Sequence, residues 1–164
     1  MSIRNAAKAL IVKDGQILLN KNVNSLGRMC YGLPNGAVYY DLPGGGQNQY
    51  EQLPDAVRRE CLEETGLTVE VERLAAIYEE ISLNPQLREQ YEKYAHKVHF
   101  VFVCRPTDAP LQKPSELDLD MLASEWVPLS EAAGLPLYPA VLRDNLARIL
   151  AVKEVLYLGC EWVE

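Results

Sequence analysis

LPGGGQNQYEQLPDAVRRECLEETGL, residues 42–67, is the stretch from which the fold and chemistry of this chain are read. A helix is predicted from about Gln52–Pro54 to Thr65. Proline is tolerated in a first turn, where its missing N–H has no partner to lose. Gly66 suits the left-handed residue that closes a helix. Leu53, Ala56, Val57 and Cys61 recur at helical spacing and form an apolar stripe. At ~100° per residue, Glu60 and Glu64 fall within roughly 20° of Leu53, with Glu63 about 80° away. Carboxylates therefore point to the side that a helix normally buries.

That placement carries three costs. Buried carboxylates without partners are expensive. Glu60 and Glu64 repel each other at i, i+4, and negative charge in a last turn opposes the helix dipole. Arg59 can pair with Glu63 at i+4, but one arginine cannot satisfy three carboxylates. A hard divalent cation can, because Mg²⁺ is typically held by a few carboxylates and by substrate phosphate oxygens. A solvated acidic face is the bland reading for most surface glutamates. Here the stripe, the dipole conflict and the glycine run together favour a metal. Gly44, Gly45 and Gly46 follow the predicted strand 38–42 and permit close backbone approach. Alone they read as a turn; at fixed distance from the helix they make a loop–helix unit.

In this form the segment resembles the Nudix box, G-x5-E-x7-R-E-U-x-E-E-x-G-U with U bulky and aliphatic. The matching residues are Gly45, Glu51, Arg59, Glu60, Glu63, Glu64, Gly66 and Leu67, with Cys61 departing at the first U. The resemblance implies an α/β fold, a Nudix-type α/β/α sandwich with a mixed β-sheet. It implies a Mg²⁺-dependent pyrophosphohydrolase, with Mn²⁺ as a substitute, that cleaves a small nucleoside diphosphate derivative. Glu60, Glu63 and Glu64 are then metal ligands, joined by the backbone carbonyl of Gly45 or its neighbour Gly44. Glu60 is also the general-base candidate inside the box, Arg59 orients the glutamates, and Glu51 supports the loop. A carboxylate outside the box is expected to complete the site. Glu116 is chosen for it, with Glu79, Glu80, Asp118 and Asp120 as rivals. Pro85 is similar to a proline that some ADP-ribose-cleaving relatives carry, which favours a nucleoside diphosphate sugar over a nucleoside triphosphate. A nucleotide-sensing module without catalysis is the alternative, and many relatives form homodimers.

The composition of the whole chain is ordinary for a soluble globular protein. Its 164 residues are enough for one domain with a sizeable core, so residues 1–164 are expected to form a single Nudix hydrolase domain. Hydrophobic residues make up 48% and charged residues 24%, as in ordinary globular proteins. No apolar run approaches the roughly 20 residues that cross a bilayer. The opening MSIRNAAKALIVKDG lacks a signal-peptide layout, so a cytoplasmic location without a membrane partner is expected. A net charge of −7 argues against a nucleic acid polymer as partner. Cysteines 30, 61, 104 and 160 show no CxxC spacing and are read as reduced, buried thiols.

Along the chain, residues 7–12 and 16–19 read as strands joined by a hairpin at Asp14-Gly15. Residues 22–35 read as a loop in which Arg28 and Tyr31 are candidate substrate contacts. Residues 68–80 suggest one or two strands. The connector 81–95 carries Tyr91 and Tyr94, candidates for stacking on a base, with a short solvent-facing helix as the plainer reading. Residues 96–104 form a run suited to a strand buried on both faces. Its His96 and His99 are expected to be hydrogen-bonded near the strand entry. A short strand at 125–129, a helix at 139–152 and a strand at 155–162 close the pattern.

Overall fold

The first apolar runs fold as the hairpin that Asp14-Gly15 predicts. β1 (Arg4–Lys13) and β2 (Gln16–Val23) are joined by these two residues at φ 49° and 75°. Successive left-handed residues give the turn whose twist suits a hairpin. The computed structural model describes residues 3–25, 33–90, 92–115 and 119–163. After the hairpin come β3 (Val38–Asp41), β4 (Gly44–Gly46), α1 (Leu53–Thr65) and β5 (Val69–Ser82). Two short helices, α2 (Pro85–Gln90) and α3 (Glu92–Ala95), lead into β6 (His96–Pro106). β7 (Met121–Pro128), α4 (Leu129–Ala132), α5 (Ala140–Ala151) and β8 (Leu156–Val163) complete the order.

The strands run β3-β2-β1-β6-β5-β8, with β4 added to β1 and β7 added to β2. β1 lies parallel to β6 and β5 parallel to β8, while the other pairs are antiparallel, so the sheet is mixed. On one face Ala7, Ala9, Ile11 and Phe102 pack against Ala56, Val57 and Cys61 of α1. On the other, Leu10, Leu19, Tyr78 and Val101 pack against Leu142, Leu146 and Ile149 of α5. This is an α/β/α sandwich. β6 supplies both cores, which explains its almost unbroken apolar run.

The sheet forks at β1. β2 meets β1 only at Val12↔Ile17 and Lys13↔Gln16, and beyond that point β4 pairs with Ala6, Ala7 and Lys8. The glycine run, read as the loop of a loop–helix unit, is therefore a short strand. A side chain at Gly44 would not fit: a Cβ there would stand 2.2 Å from the Ala7 carbonyl oxygen.

Of the one or two strands expected over residues 68–80 the structure has one, while a proline, a histidine and a cysteine differ from the sequence reading. β5 is one strand of 14 residues whose register shifts near Val71 and Leu74 break its alternation. Pro85 opens α2, a position that suits proline on backbone grounds alone. His96 is hydrogen-bonded, 3.2 Å from Glu79, but His99 is not. His99 faces the α5 core, stacks on Tyr78 at 4.4 Å between centroids, and has no hydrogen-bond partner on either ring nitrogen among the described residues. Cys61 and Cys104 are buried free thiols, whereas Cys160 is exposed on the edge strand β8. Cys30 lies outside the described residues. No helix among the described residues is long and apolar enough to cross a membrane.

Gly66 closes α1 at φ 73°, and a Cβ there would lie 1.9 Å from the Gln112 carbonyl oxygen. Gly66→Ala should therefore cost about 1–3 kcal/mol of stability through backbone strain and displacement of that loop. Thermal unfolding of the two proteins measures the loss.

Candidate active site

α1 begins at Leu53 with proline in its first turn and ends at a left-handed Gly66, with no basic residue in its last turn. No residue of the last turn therefore complements the dipole beside its acidic end. Arg59 does most of the compensation. Its Nε donates to Glu51 Oε1 at 2.8 Å and its Nη2 to Glu51 Oε2 at 3.0 Å, a two-pronged pair of the strong kind. Nη1 donates to Glu60 at 2.7 Å and to Glu63 at 2.9 Å, while Nη2 also reaches the Gly46 carbonyl at 2.9 Å. Glu51 in turn accepts from the Asn48 N–H at 2.9 Å. One guanidinium thus ties the loop before the helix, the glycine strand and two carboxylates together. Its bond to Arg59 holds the Glu51 carboxyl below its ordinary range.

Glu64 is buried and bound differently. Its Oε2 accepts from the Gly44 N–H at 2.9 Å and from Asn20 Nδ2 at 2.8 Å, and its Oε1 accepts neither. Asn20 is itself oriented by Ser124, whose hydroxyl donates to Asn20 Oδ1 at 2.9 Å. Burial pushes the Glu64 carboxyl up to about 7, against the opposing pull of Lys8 and these hydrogen bonds. Burial also raises Glu60, with Arg59 opposing. Glu60 lies so close to Gly45 that a Cβ there would come 2.6 Å from Oε2. Lys8 sits in the fork of the sheet, where its ammonium donates to the carbonyls of Leu42 and Gly44.

Glu60, Glu63, Glu64, Gly45 and Gly46 line one wall of a cavity of about 700 Å³. Arg4, Lys93 and Tyr94 form part of its lining as well. Among the described residues, no three acidic, histidine or cysteine side chains stand as a ready-made metal cage. The donors present nevertheless suit a hard divalent cation. All are oxygens, and burial disfavours the charged forms of Glu60 and Glu64, a penalty that a cation would reverse. Lys8 uses the carbonyl of Gly44 and Arg59 that of Gly46, and no described side chain donates to the carbonyl of Gly45 between them.

The fold brings together Gly45, Arg59, Glu60, Glu63 and Glu64, with Tyr94 across the cavity. Arg28, Tyr31, Tyr91 and Glu116 lie outside the described residues, as does Asp118. The other rivals for the outer carboxylate are engaged elsewhere. Glu79 bonds His96 and Tyr157. Glu80 is buried beside Lys97 and His99 on the α5 side, and Asp120 accepts from Ser25. Sequence reading missed Lys8 and Asn20. Lys8 had left a signal, as the one charge in the apolar run of residues 6–12.

A model of the NUDIX domain matches residues 2–149. The chain belongs to the NUDIX domain family. It is 28% identical over 128 residues to Nudix hydrolase 10 of Arabidopsis thaliana, covering 77% of this chain and 40% of that protein. It is 32% identical over 98 residues to an ADP-ribose pyrophosphatase of Methanocaldococcus jannaschii, covering 60% and 48%. The chain spans less than half the length of these curated relatives. A solved NUDIX hydrolase from Nitrosomonas europaea shares the fold at TM-score 0.69 and 18% identity, over 94% of this chain and 93% of that one. β8 lies beyond the family match yet pairs with β5 as part of the Nudix sheet.

The raised Glu64 carboxyl has a measurable consequence. The unfolded chain releases this proton near 4.5 and the folded one near 7, so stability is lost as pH rises through that interval. Glu64→Gln should stabilise the metal-free protein at pH 8 by up to about 3 kcal/mol. The advantage should vanish near pH 4.5, where wild-type Glu64 is itself neutral when folded. Unfolding in chelator across that pH range checks the trend.

Proposed function

We propose that this Nudix chain is a Mg²⁺-dependent pyrophosphohydrolase that cleaves the diphosphate linkage of a small nucleotide derivative. A nucleoside diphosphate sugar such as ADP-ribose is favoured over a nucleoside triphosphate. The observation that carries the reading is the wall of Glu60, Glu63 and Glu64 beside one cavity, the first two held by Arg59. The preference for ADP-ribose is supported by the activity named for the Methanocaldococcus jannaschii relative. Pro85 adds nothing to it, because the start of α2 accounts for that residue.

Glu60, Glu63 and Glu64, with the Gly45 carbonyl, would hold the cation, whose chemistry is to neutralise phosphate charge and activate a water. Arg59 sets the side chains of Glu60 and Glu63, and Asn20 with the Gly44 N–H sets that of Glu64. Glu60, its carboxyl raised by burial, would accept the proton of the attacking water. Attack at one phosphorus breaks a P–O bond of the bridge. The products are a nucleoside monophosphate and the phosphorylated second group. Arg28, Tyr31 and Tyr91 remain the proposed substrate contacts, and Glu116 the proposed outer carboxylate.

Hydrolysis of a nucleotide panel with and without Mg²⁺ tests the proposal. Glu63→Gln and Glu64→Gln should each lower kcat by about 100-fold or more while remaining folded. Full activity in both folded variants would refute it. Nucleotide binding without turnover in the wild type would favour a sensing module instead.

A further inference from the structure

We propose that Arg4 and Lys93, held against the ring of Tyr94, form an anion-binding wall that seats a phosphate of the substrate's diphosphate group. The inference rests on the pyrophosphohydrolase reading and assigns the half of the cavity that the Nudix box does not supply. It starts from how the positive charges around the cavity are used. Arg59 is taken up by Glu51, Glu60, Glu63 and the Gly46 carbonyl. Lys8 is taken up by Leu42, Gly44 and Asp41. Arg4 and Lys93 line the same cavity, and among the described residues the charged-group contacts they make are with Tyr94 and not with a carboxylate. Each instead lies over Tyr94, Arg4 at 4.7 Å and Lys93 at 4.8 Å from the ring centroid. In a chain of net charge −7, two cations facing one cavity without a carboxylate partner call for an anion from outside.

The wall is built by the fold. β1 and β6 are parallel, with Arg4 opposite Lys97, so α3, which ends where β6 starts, stands beside the first residue of β1. That pairing brings Lys93 and Tyr94 to Arg4 from far along the chain. Gly46 fixes the guanidinium from below: the nearest atoms to a Cβ built there would be Arg4 Nη2 at 2.5 Å, with Cζ and Nε at 2.9 Å. The same residue presents its carbonyl to Arg59. Arg4 therefore stands one residue's width from the guanidinium that organises the glutamates.

A phosphate held beside the glutamates through a cation has its neighbour directed along the cavity. A guanidinium with a neighbouring ammonium suits that neighbour, since arginine matches phosphate oxygens with paired donors. Tyr94, read from sequence as a base-stacking residue, is covered by the two cations and serves to position them.

The test is calorimetric binding of α,β-methylene-ADP, a diphosphate that cannot be hydrolysed at its bridge, to the full chain in Mg²⁺. Arg4→Ala should weaken binding by about 10- to 100-fold, the range of a lost charge-assisted contact, with a shallower salt dependence. Arg4→Lys should recover part of the affinity. Lys93→Ala, on an exposed short helix, should weaken binding to a smaller degree and guards against misfolding of the Arg4 variant. With a cleavable substrate, KM should rise by more than kcat falls. Wild-type affinity in both alanine variants, or no binding by the wild type, would overturn the proposal. If binding depends on Arg4 but no nucleotide is hydrolysed, the activity falls and the anion wall stands. If hydrolysis needs Glu63 but binding ignores Arg4 and Lys93, the wall falls and the activity stands.

Discussion

The contact between Arg59 and Glu51 is the constraint on which the rest of the site depends. It closes the loop after the glycine strand onto a point two turns into α1, and the remaining Arg59 donors then set Glu60, Glu63 and the Gly46 carbonyl. Without it, Glu60 and Glu63, at the unfavourable end of a helix dipole, would lose the fixed guanidinium that pairs with both. The α/β/α sandwich supplies the rigid frame, because α1 is anchored by Ala56, Val57 and Cys61 in one core. The site is thus a local electrostatic compromise carried on an ordinary hydrophobic scaffold. Such compromises are a recurrent cost of function in stable folds.

How much of this was legible in the sequence differs from element to element. α1 was readable almost to the residue, since its proline, its closing glycine and its stripe are all local signals. The geometry around Arg59 and Glu63 followed from helical spacing. The strand Gly44–Gly46 was not readable, because a strand without side chains has no alternation to detect. Whether residues 68–80 made one strand or two stayed open for a related reason: register shifts change the phase of the β5 pattern midway. Asn20 was overlooked because its partner comes from another element, and Lys8, though marked as the one charge in its run, has partners that only the assembled sheet supplies. The pairing of Arg4 with Tyr94 depends on the parallel alignment of β1 with β6, which only the assembled sheet defines.

The cavity is divided by charge in a way that suits a diphosphate. One wall gathers carboxylates whose ionised forms are disfavoured by burial, and the other holds two cations over an aromatic ring. Gly46 belongs to both, accepting from Arg59 through its oxygen and supporting Arg4 at its Cα. Spacing between the walls is accordingly set by main chain paired to β1, not by the reach of flexible side chains.

The two helical layers also answer acid in opposite senses. On the α1 side, protonation relieves the buried Glu64. On the α5 side, burial keeps His99 neutral below its ordinary range near 6.5, so the unfolded chain gains that proton first and acid erodes this layer. Glu80 behaves likewise lower down: burial works against its charge, yet His99 and Lys97 carry it to about 2, so its support fades as pH drops from 4.5 toward 2. Acidification therefore withdraws stability contributed by His99 and Glu80 on the α5 side while it removes the penalty carried by Glu64 on the α1 side.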